Sequence, residues 1–360
     1  MQAVILAGGE GTRLRPLTTT IPKAVVPLAN RPFLSYMIDW LCRHDVDEVV
    51  ISCGFLATEV KAVLGEGDGG LRIRYVEEDE PLGTAGAVKH AEDALGERFA
   101  VLNGDILADF DLTELQEFHR SQQAPATIAL IPVDDPSSYG LVRTSDGVVA
   151  EFLEKPDPAQ IDTNLINAGA YVLEHEVLDR IAKGRPTSFE REVFPGLIGS
   201  GLRGFPVRGY WLDIGTPERY LEATFDILAG RLETVLDGDL GDDRLAVPRS
   251  ARVSGDATVL PPALLGESCV VEPGAQIGEL ASIGDGCRIG EGAVVERGVL
   301  HNNVQVGPDA VVRDSVVGPS VQIGSGSRIE EGALIGEGAV IGPNRVISGA
   351  ETVEPGVEIT

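Results

Sequence analysis

Positive charge is scarce in this 360-residue sequence. Lysine and arginine together number 29 against 56 aspartates and glutamates, and the formal net charge is −27. Such an acidic chain is repelled by nucleic-acid phosphates and by anionic membrane surfaces, so we expect neither as a partner. The cations include only five lysines, so a lysine inside a motif is more informative than usual. They are Lys23, Lys61, Lys89, Lys155 and Lys183.

Cysteines and long apolar runs are also few. The four cysteines are Cys42, Cys53, Cys269 and Cys287; none forms a CxxC pair, which argues against a zinc site or a redox pair. No stretch approaches 18 apolar residues, and Met1 leads straight into a strand-like segment instead of a signal-peptide pattern. We therefore expect a cytoplasmic protein without membrane spans or a disulfide framework.

The N-terminal segment QAVILAGGEGTRLRPLTTTIPK, residues 2–23, carries the first chemical signal. Residues 3–7 are apolar and predict a buried parallel strand. The three glycines within residues 8–11 allow backbone N–H groups to converge on a phosphate, and Arg13 and Lys23 add positive charge. The segment matches neither a GxGxxG nor a GxxxxGK[ST] motif. It predicts a different phosphate-binding loop at the carboxyl end of a strand.

Strand and helix patterns alternate up to about residue 230. Strands are predicted over 3–7, 48–53, 71–76, 99–102, 126–133, 139–144, 148–155, 167–173 and 204–212. Helical patterns cover 34–41, 60–64, 84–95, 111–122 and a segment ending at Leu228. We predict a Rossmann-like α/β domain over residues 1–230, with a mixed, mainly parallel sheet. Ligands bind such sheets at the carboxyl ends of the strands.

Beyond an acidic linker, residues 231–248, aliphatic residues recur at every sixth position. The repeat runs without a miss over 253–295, resumes one residue early at Leu300, and does so again at Val317. A helix cannot keep a period of six, whereas a triangular β-helix places one hexapeptide on each face. The repeat resembles the left-handed hexapeptide β-helix, which we predict over residues 249–360 with five to six coils.

Three residues of the repeat region lead to specific expectations. Cys269 and Cys287 are 18 residues apart, so we expect them to stack in adjacent coils as small buried residues. His301 is the only histidine of this region and stands at an irregular step. Acyltransferases built on this fold use a histidine for their chemistry, but we interpret His301 as a structural surface residue.

Two acids follow apolar strands, in the motifs LNGD and WLDIGTP. These are Asp105 and Asp213. Carboxylates at strand ends suit Mg²⁺, which prefers oxygen ligands and shares its coordination with substrate phosphates. Either acid alone could instead cap a helix. In combination with the phosphate loop, we favour an Mg²⁺ site formed by both.

Further polar residues at strand ends suit a second substrate. Lys155 could bind its phosphate and Glu154 a hydroxyl, while Asn167 and Gly169 offer an amide and bare backbone to sugar hydroxyls. Gly140 could serve in the same way.

The acidic segment EEDEPLGTAG, residues 77–86, could recognise a base. A carboxylate accepts the two adjacent N–H donors of guanine, whereas thymine or uracil would favour an amide. For each individual glutamate, a solvated acidic loop remains an equal alternative.

The combination of motifs resembles the sugar-nucleotide pyrophosphorylases, nucleotidyltransferases that join an NTP to a sugar 1-phosphate and have a GT-A-like catalytic domain. The resemblance rests on GGEGTRLRPLT, PK, EPLGTAGA, LNGD, EKP, INAG and WLDIGTPE, in order over residues 1–228. EPLGTAGA and PTSFEREVFP are most similar to mannose-1-phosphate guanylyltransferases with a β-helix tail. Lys23-Ala24 departs from the Lys-Pro that the family often has, but keeps the lysine.

The resemblance implies a role for each matched residue. The nucleotide would be bound by Leu6, Ala7, Gly8, Gly9, Gly11, Thr12, Arg13, Lys23, Glu78, Glu80, Pro81, Gly83, Thr84, Asn103 and Gly104. The sugar phosphate would be bound by Gly140, Glu154, Lys155, Asn167 and Gly169. The catalytic residues would be Arg13, Lys23, Asp105, Lys155 and Asp213, of which Asp105 and Asp213 would hold Mg²⁺.

The resemblance also implies the reaction, with GTP and mannose 1-phosphate as the expected substrates. A glucose-1-phosphate thymidylyl- or uridylyltransferase, a heptose-1-phosphate guanylyltransferase and a catalytically silent regulatory homologue remain alternatives. An additional acyltransferase activity is disfavoured, because His301 is the only histidine of the repeat. We expect a homo-oligomer assembled through the flat faces and open ends of the β-helix.

Overall fold

The computed structural model of this chain describes residues 1–54, 56–67 and 71–360. The chain divides into two compact units, one formed by residues 1–9 and 37–211 and the other by residues 10–36 and 212–360. The domain limits expected from the sequence remain predictions. Within the described ranges, no helix combines the length and the apolar character needed to cross a bilayer.

The α-helices are α1 (Phe33–Arg43), α2 (Ala57–Leu64), α3 (Gly83–His90), α4 (Leu112–Gln122), α5 (Phe194–Leu197), α6 (Pro217–Ala229) and α7 (Asp237–Leu240). Turns of 3₁₀ helix cover Thr12–Leu14, Leu17–Thr19, Lys23–Val25, Glu92–Ala94, Pro158–Gln160 and His175–Arg180, and Phe189–Val193 forms a π-helical turn. The predicted helix 84–95 is therefore shorter, because α3 ends at His90 and a separate 3₁₀ turn follows.

The strands before the repeat are β1 (Gln2–Leu6), β2 (Pro27–Leu28), β3 (Arg31–Pro32), β4 (Glu48–Cys53), β5 (Arg72–Glu77), β6 (Arg98–Asn103), β7 (Ile106–Ala108), β8 (Ala126–Pro132), β9 (Gly140–Ser145), β10 (Val148–Glu154), β11 (Leu165–Glu174), β12 (Arg203–Pro206) and β13 (Trp211–Asp213). The expectation of one strand over 204–212 is wrong. Gly209 has a φ of 142° and approaches the backbone of Phe110, so the chain turns between β12 and β13.

The first unit is built on a nine-stranded sheet with the order β5-β4-β1-β6-β11-β8-β12-β10-β9. β5, β4, β1 and β6 are parallel, whereas β11 runs antiparallel to both β6 and β8. Ala3, Val4 and Ile5 are fully buried in β1, as a strand between two parallel neighbours requires. The predicted mixed, Rossmann-like sheet is confirmed, with parallel pairing from β5 to β6 and antiparallel pairing of β10 with β12 and β9.

Helix ends in both units follow ordinary capping rules. The Asp111 carboxylate accepts hydrogen bonds from the backbone N–H groups of Thr113 and Glu114 and starts α4. Helix α6 begins with Thr216 as its N-cap, and Gly230 ends it in the left-handed conformation, with a φ of 71°. These caps fix where α6 starts relative to Asp213.

The second unit contains the left-handed β-helix predicted from the repeat. Its parallel strands stack on three faces of seven, seven and six strands, which makes six complete coils. The first face carries Leu245–Ala246, Ala263–Leu265, Ala281–Ile283, Val299–Leu300, Val316–Val317, Leu334–Ile335 and Thr352–Val353. The second carries Arg252–Val253, Val270–Val271, Arg288–Ile289, Gln305–Val306, Gln322–Ile323, Val340–Ile341 and Glu358–Ile359. The third carries Thr258–Val259, Gln276–Ile277, Val294–Glu296, Val311–Arg313, Arg328–Ile329 and Val346–Ile347.

The repeating aliphatic residues fill the interior of this prism. From Leu265 to Val353 each is at most 3% exposed. Cys269 and Cys287 are both buried and lie in adjacent coils, as predicted. The expectation that His301 is a surface residue is wrong, because its side chain is buried and hydrogen-bonded to Tyr220.

Candidate active site

Strand β1 delivers the glycine-rich segment to the carboxyl end of the parallel sheet. Leu6, the last residue of β1, pairs with Ser52 on one side and with Asn103 on the other. The backbone N–H of Ala7 donates to the Ser52 carbonyl at 2.7 Å, and the chain then leaves the sheet at Gly8. Gly8 therefore lies at the edge where ligands bind α/β sheets.

Gly8 is held against the acidic loop that follows β5. A Cβ atom at Gly8 would lie 3.1 Å from Glu78 Oε1, so a larger residue would displace this carboxylate. Glu78 accepts hydrogen bonds from Ser52 Oγ at 2.8 Å and from the Leu82 backbone N–H at 3.0 Å. The Glu78 carboxylate is thus anchored beside the predicted phosphate loop, and its contact with a base remains a prediction.

Asn103 brings the predicted nucleotide and sugar residues together. Gly169 has a φ of 70°, and a Cβ there would lie 2.9 Å from Asn103 Nδ2. The Gly169 N–H donates to Asn167 Oδ1 at 2.9 Å, while a Cβ at Gly104 would lie 2.4 Å from the Leu6 carbonyl oxygen. Within the described residues, the buried Asn103 Oδ1 has no hydrogen-bond donor. Such an unsatisfied acceptor is explained well by a ligand hydroxyl.

Three of the five predicted sugar-phosphate residues, Gly140, Glu154 and Lys155, lie where β9 begins and β10 ends. Gly140 pairs with Glu154, and a Cβ at Gly140 would meet Phe152 at 2.7 Å and Glu154 Oε2 at 3.1 Å. Lys155 is exposed, has a φ of 51°, and donates its backbone N–H to the Tyr139 carbonyl. A non-glycine residue in this conformation is uncommon and occurs often at functional positions.

The half-buried carboxyl of Glu154 is electrostatically perturbed. Burial raises the pKa of Glu154 above its ordinary value, and the nearby charge of Glu190 raises it further. Lys155 and Arg191 act in the opposite direction. Glu154 therefore takes up a proton at a higher pH than an exposed glutamate.

The predicted base-recognition residues divide into exposed and structural positions. Glu80 and Pro81 are exposed, whereas a Cβ at Gly83 would lie 2.8 Å from the Thr187 carbonyl oxygen. Thr84 Oγ1 donates to Glu190 Oε2 at 2.8 Å and accepts the backbone N–H of Phe189. Gly83 and Thr84 thus support the loop, and nucleotide binding by either remains a prediction.

In the second unit, Gly11, the last glycine of the glycine-rich segment, packs against Lys23 and Thr18. Gly11 has a φ of 63°, and a Cβ at this position would lie 3.0 Å from Lys23 Cβ. Thr18 Oγ1 donates to the Gly11 carbonyl at 2.7 Å. Thr12 and Arg13 are exposed in the 3₁₀ turn that follows Gly11. The predicted cations are thus carried on a loop with a fixed backbone.

Arg13 and Asp213 are brought together at Gly215. Asp213 Oδ1 accepts the Gly215 N–H at 2.7 Å. A Cβ at Gly215 would lie 2.5 Å from Arg13 Nη2 and 2.7 Å from Asp213 Oδ1. Only glycine leaves room for the guanidinium and the carboxylate to share this space. The structure therefore places two of the predicted catalytic residues side by side.

The two predicted metal ligands differ in their settings. Asp105 is half-buried in the turn between β6 and β7, and Asp213 is the last residue of β13. In the part of the chain that the structure describes, no group of three or more His, Cys, Asp or Glu side chains is arranged to hold a metal ion. Carboxylate oxygens nevertheless fit Mg²⁺, which uses one or two protein carboxylates together with substrate phosphates.

Comparison with known proteins identifies the family. A family model described as Nucleotidyl transferase matches residues 2–230. The chain belongs to the nucleotidyl transferase family. A second family model, described as GMPPB C-terminal domain, matches residues 259–360, which lie in the β-helix.

Similar curated proteins cover most of this nucleotidyltransferase. A mannose-1-phosphate guanylyltransferase from Mycobacterium tuberculosis is 39% identical over 285 residues, which is 77% of this chain and 78% of the relative. Mannose-1-phosphate guanylyltransferase 1 from Arabidopsis thaliana is 36% identical over 345 residues, covering 92% of this chain and 89% of the relative.

Similar solved structures cover somewhat less than two thirds of this chain. HddC from Yersinia pseudotuberculosis shares 30% identity with a TM-score of 0.55, covering 63% of this chain and 99% of that one. A structure described as a glucose-1-phosphate thymidylyltransferase from Bacillus anthracis shares 26% identity with a TM-score of 0.58, covering 62% and 94%.

Glu190 and Tyr171 of this nucleotidyltransferase were not identified as site residues from the sequence. The Tyr171 hydroxyl donates to Glu190 Oε1 at 3.1 Å and accepts from Asn167 Nδ2 at 2.9 Å. Both residues thereby support the predicted sugar-binding amide. In the sequence, Tyr171 has the pattern of an ordinary core residue in a strand. Glu190 is one of several acids in a polar segment. The sequence therefore offered no local signal for either.

Proposed function

We propose that this chain transfers a guanylyl group from GTP to mannose 1-phosphate, giving GDP-mannose and pyrophosphate. The observation that carries the proposal is the extent of the similarity to proteins named mannose-1-phosphate guanylyltransferase. The match to the Arabidopsis thaliana protein spans 92% of the chain and so includes the β-helix. The structure described as a thymidylyltransferase covers only 62% of it, at lower identity.

The proposed reaction needs no proton transfer. A phosphate oxygen of mannose 1-phosphate attacks the α-phosphorus of GTP, and the bond from that phosphorus to the oxygen bridging to the β-phosphate breaks. The nucleophile is already an anion near neutral pH, so no general base is required. Catalysis then consists of positioning the two phosphates and neutralising their charge.

The cations of the chain supply much of that neutralisation. In the proposal, backbone N–H groups of the glycine-rich segment bind the phosphates of GTP, and Arg13 and Lys23 stabilise the departing pyrophosphate. Lys155 holds the phosphate of the sugar. Asp213 and Gly215 keep the Arg13 guanidinium in place, because the three groups share one confined space.

Nucleotidyltransferases of this kind generally use a divalent metal. We propose Mg²⁺ as the ion and Asp105 and Asp213 as its protein ligands, because carboxylate and phosphate oxygens are its preferred donors. When bound, the ion would neutralise the phosphate charge that develops during transfer.

Recognition of the base and the sugar is proposed to use different segments. Glu78 and Glu80 would accept the guanine N–H donors, with Pro81, Gly83 and Thr84 flanking the base. Glu154, Asn167, Gly169 and Gly140 would contact the hydroxyls of mannose, and Asn103 Oδ1 would accept a further ligand hydroxyl.

We also propose that the chain self-associates through its β-helix. Val346 and Val357 are 60% and 40% exposed on the last coils, which gives this part of the surface apolar area that a second copy could cover. The cytoplasmic location likewise stays a prediction.

A substrate panel tests the proposed function. Pyrophosphate release is measured for the four common ribonucleoside triphosphates and dTTP, each with mannose, glucose and heptose 1-phosphates. We expect the highest kcat/KM for GTP with mannose 1-phosphate. A higher value for any other pair would reassign the substrates, and no release with any pair would favour the regulatory homologue.

A further inference from the structure

His301 is a residue of the β-helix whose polar side chain reaches α6, the helix that follows Asp213. It is 2% exposed, and its Nε2 lies 3.0 Å from the Tyr220 hydroxyl oxygen. The Tyr220 hydroxyl also bonds the Pro27 carbonyl oxygen. No hydrogen-bond partner within the described residues faces His301 Nδ1.

The directions of these bonds follow from their chemistry. A carbonyl oxygen only accepts, so the Tyr220 O–H donates to Pro27, and the Tyr220 oxygen must accept from His301. His301 therefore carries a proton on Nε2, and when the ring is neutral the lone pair of Nδ1 is unsatisfied. Burial lowers the pKa of His301 to about 4, which agrees with a neutral ring near pH 7.

The bonded groups belong to the two segments that carry proposed catalytic residues. Pro27 follows the 3₁₀ turn Lys23–Val25 after a single residue. Tyr220 lies in the first turn of α6, where its N–H donates to the Thr216 carbonyl at 2.8 Å. Asp213 precedes that N-cap by three residues. The Tyr220 hydroxyl thus joins the Lys23 segment, the start of α6 and the β-helix at one point.

The β-helix is irregular where it makes this contact. Ile283 pairs with Leu300, a spacing of 17 residues instead of the 18 of a regular coil. At the same step, the Arg297 guanidinium lies over the Phe225 ring of α6, 4.8 Å from its centroid. The shortened coil therefore presents two side chains to one helix.

Asn30, three residues after Pro27, is also hydrogen-bonded to the β-helix. Asn30 Nδ2 donates to the Ile283 carbonyl at 2.7 Å, and Ser282 Oγ donates to Asn30 Oδ1 at 3.3 Å. Asn30 is in the left-handed conformation, with a φ of 61°. The loop after Lys23 is consequently held at two points, Pro27 and Asn30.

We propose that His301 is a positioning residue for nucleotidyl transfer: through Tyr220 it fixes the segment that carries Lys23 against the helix that follows Asp213. The inference rests on the proposed function for the roles of Lys23 and Asp213. It gives the β-helix a part in the reaction of its own subunit, in addition to any part in assembly.

The unsatisfied nitrogen distinguishes this role from simple filling of the core. A buried acceptor without a donor destabilises a protein, because it has lost its hydrogen bond to water and gained none in return. An aliphatic side chain at position 301 would fill the space without that cost, but it could not donate to Tyr220. The histidine is therefore explained by its single N–H···O bond.

Four variants test the inference. His301→Gln keeps an N–H that can reach the Tyr220 oxygen, whereas His301→Leu removes the donor and keeps an apolar side chain. Tyr220→Phe removes the shared hydroxyl. Ser327→Ala is the matched control, because it removes other hydrogen bonds of the β-helix: Ser327 Oγ donates to the Gly342 carbonyl and accepts from the Arg345 N–H.

Steady-state kinetics are measured with the substrate pair that the wild type uses. We expect His301→Leu and Tyr220→Phe to lower kcat/KM for the NTP by about tenfold or more, since small displacements of catalytic groups are costly. The KM for the sugar phosphate should stay within about twofold. A further variant that combines His301→Leu with Tyr220→Phe should have a kcat/KM no lower than either single variant. His301→Gln and Ser327→Ala should resemble the wild type.

Hydrogen exchange of the peptide covering residues 23–32 provides a readout that does not depend on activity. Faster exchange in His301→Leu but not in Ser327→Ala or His301→Gln would support the inference even if GTP and mannose 1-phosphate prove to be the wrong substrates. If His301→Leu does not fold, hydrogen exchange and kcat/KM of Tyr220→Phe test the inference instead. Unchanged exchange and kcat/KM in Tyr220→Phe would overturn the inference.

Discussion

Glu190 Oε2 accepts a hydrogen bond from Thr84 Oγ1 at 2.8 Å. The same carboxylate accepts from the Ser188 hydroxyl at 2.6 Å and from the Tyr171 hydroxyl at 3.1 Å. Tyr171 in turn accepts from the side chain of Asn167. One acid therefore connects the loop proposed to bind the base with the amide proposed to bind the sugar.

Replacing Glu190 with glutamine should move the acid limb of the pH–activity profile to lower pH. The charge of Glu190 is, after burial, the second cause that raises the pKa of Glu154. Without that charge the pKa of Glu154 falls, so Glu154 stays ionised to a lower pH. The measurement is kcat/KM for the sugar phosphate as a function of pH.

Glu192→Gln is the matched control for this prediction. Glu192 lies in the same π-helical turn but pairs with Arg185 at the surface. Its replacement should leave the acid limb in place. An equal displacement of the limb in both variants would show that the total negative charge of this region sets the pKa of Glu154. The proximity of Glu190 to Glu154 would then not be the cause.

Asp105→Asn should abolish most of kcat, by roughly two orders of magnitude or more, because a proposed metal ligand and its charge are lost. Chelation with EDTA should inactivate the wild type, and added Mg²⁺ should restore it. Asp111→Asn serves as the control, since asparagine can still cap α4. Turnover close to that of the wild type in Asp105→Asn would remove Asp105 from the proposed site.

Lys155→Ala should raise the KM for the sugar phosphate several-fold more than the KM for the NTP. The lysine is proposed to bind only the sugar phosphate. Alanine meets the same strain as lysine at a φ of 51°, so the substitution mainly removes the ammonium group. Lys183→Ala, another exposed lysine, should change neither KM. Equal increases in both KM values for Lys155→Ala would contradict the assignment.

Acidification should lower the unfolding free energy of the wild type, and part of this decrease should disappear when His301 is replaced. An unfolded histidine takes up a proton near pH 6.5, whereas the folded His301 does so only at about pH 4. Protonation therefore favours the unfolded chain between these values, by up to about 1.4 kcal/mol per pH unit. In urea unfolding at a series of pH values, the unfolding free energy of the wild type should fall relative to that of His301→Gln as the pH is lowered through this window. Parallel curves would contradict the buried neutral state.

Glutamate at Val346 and Val357 should reduce the particle mass of the full chain measured by light scattering, if the exposed apolar area of the last coils is covered by a second copy. Substitutions on an already acidic protein add repulsion between copies. Val63→Glu, at a 50% exposed position outside the β-helix, is the control. A wild type that is monomeric at assay concentration would rule out the proposed assembly.

The parts of the fold that depend on short periodicities could be predicted from the sequence. The six-residue recurrence through Val271, Ile277 and Ile283 identified the β-helix and its stacking, because each coil repeats the same local environment. The apolar run at Ala3–Ile5 identified the central strand in the same way. The turn at Gly209 was missed, because its close approach to Phe110 is a long-range contact.

The burial of His301 could not be predicted for a similar reason. Its partner, Tyr220, lies 81 residues earlier in the chain, and no local pattern records that pair. Glu190 was missed because its neighbours Thr84 and Tyr171 come from two other segments. In contrast, the proximity of Asn103 to the Leu6 strand end followed from parallel pairing, which the sequence did indicate.

The shortened coils between Ile283 and Val317 have a practical meaning for protein engineering. A consensus repeat with 18 residues in every coil would pack its aliphatic ladder more uniformly, and it would meet most criteria for a stable solenoid. It would also insert a residue beside Arg297 and shift His301 away from Tyr220. We expect a β-helix regularised in this way to have a higher unfolding free energy and the enzyme to have a lower kcat/KM.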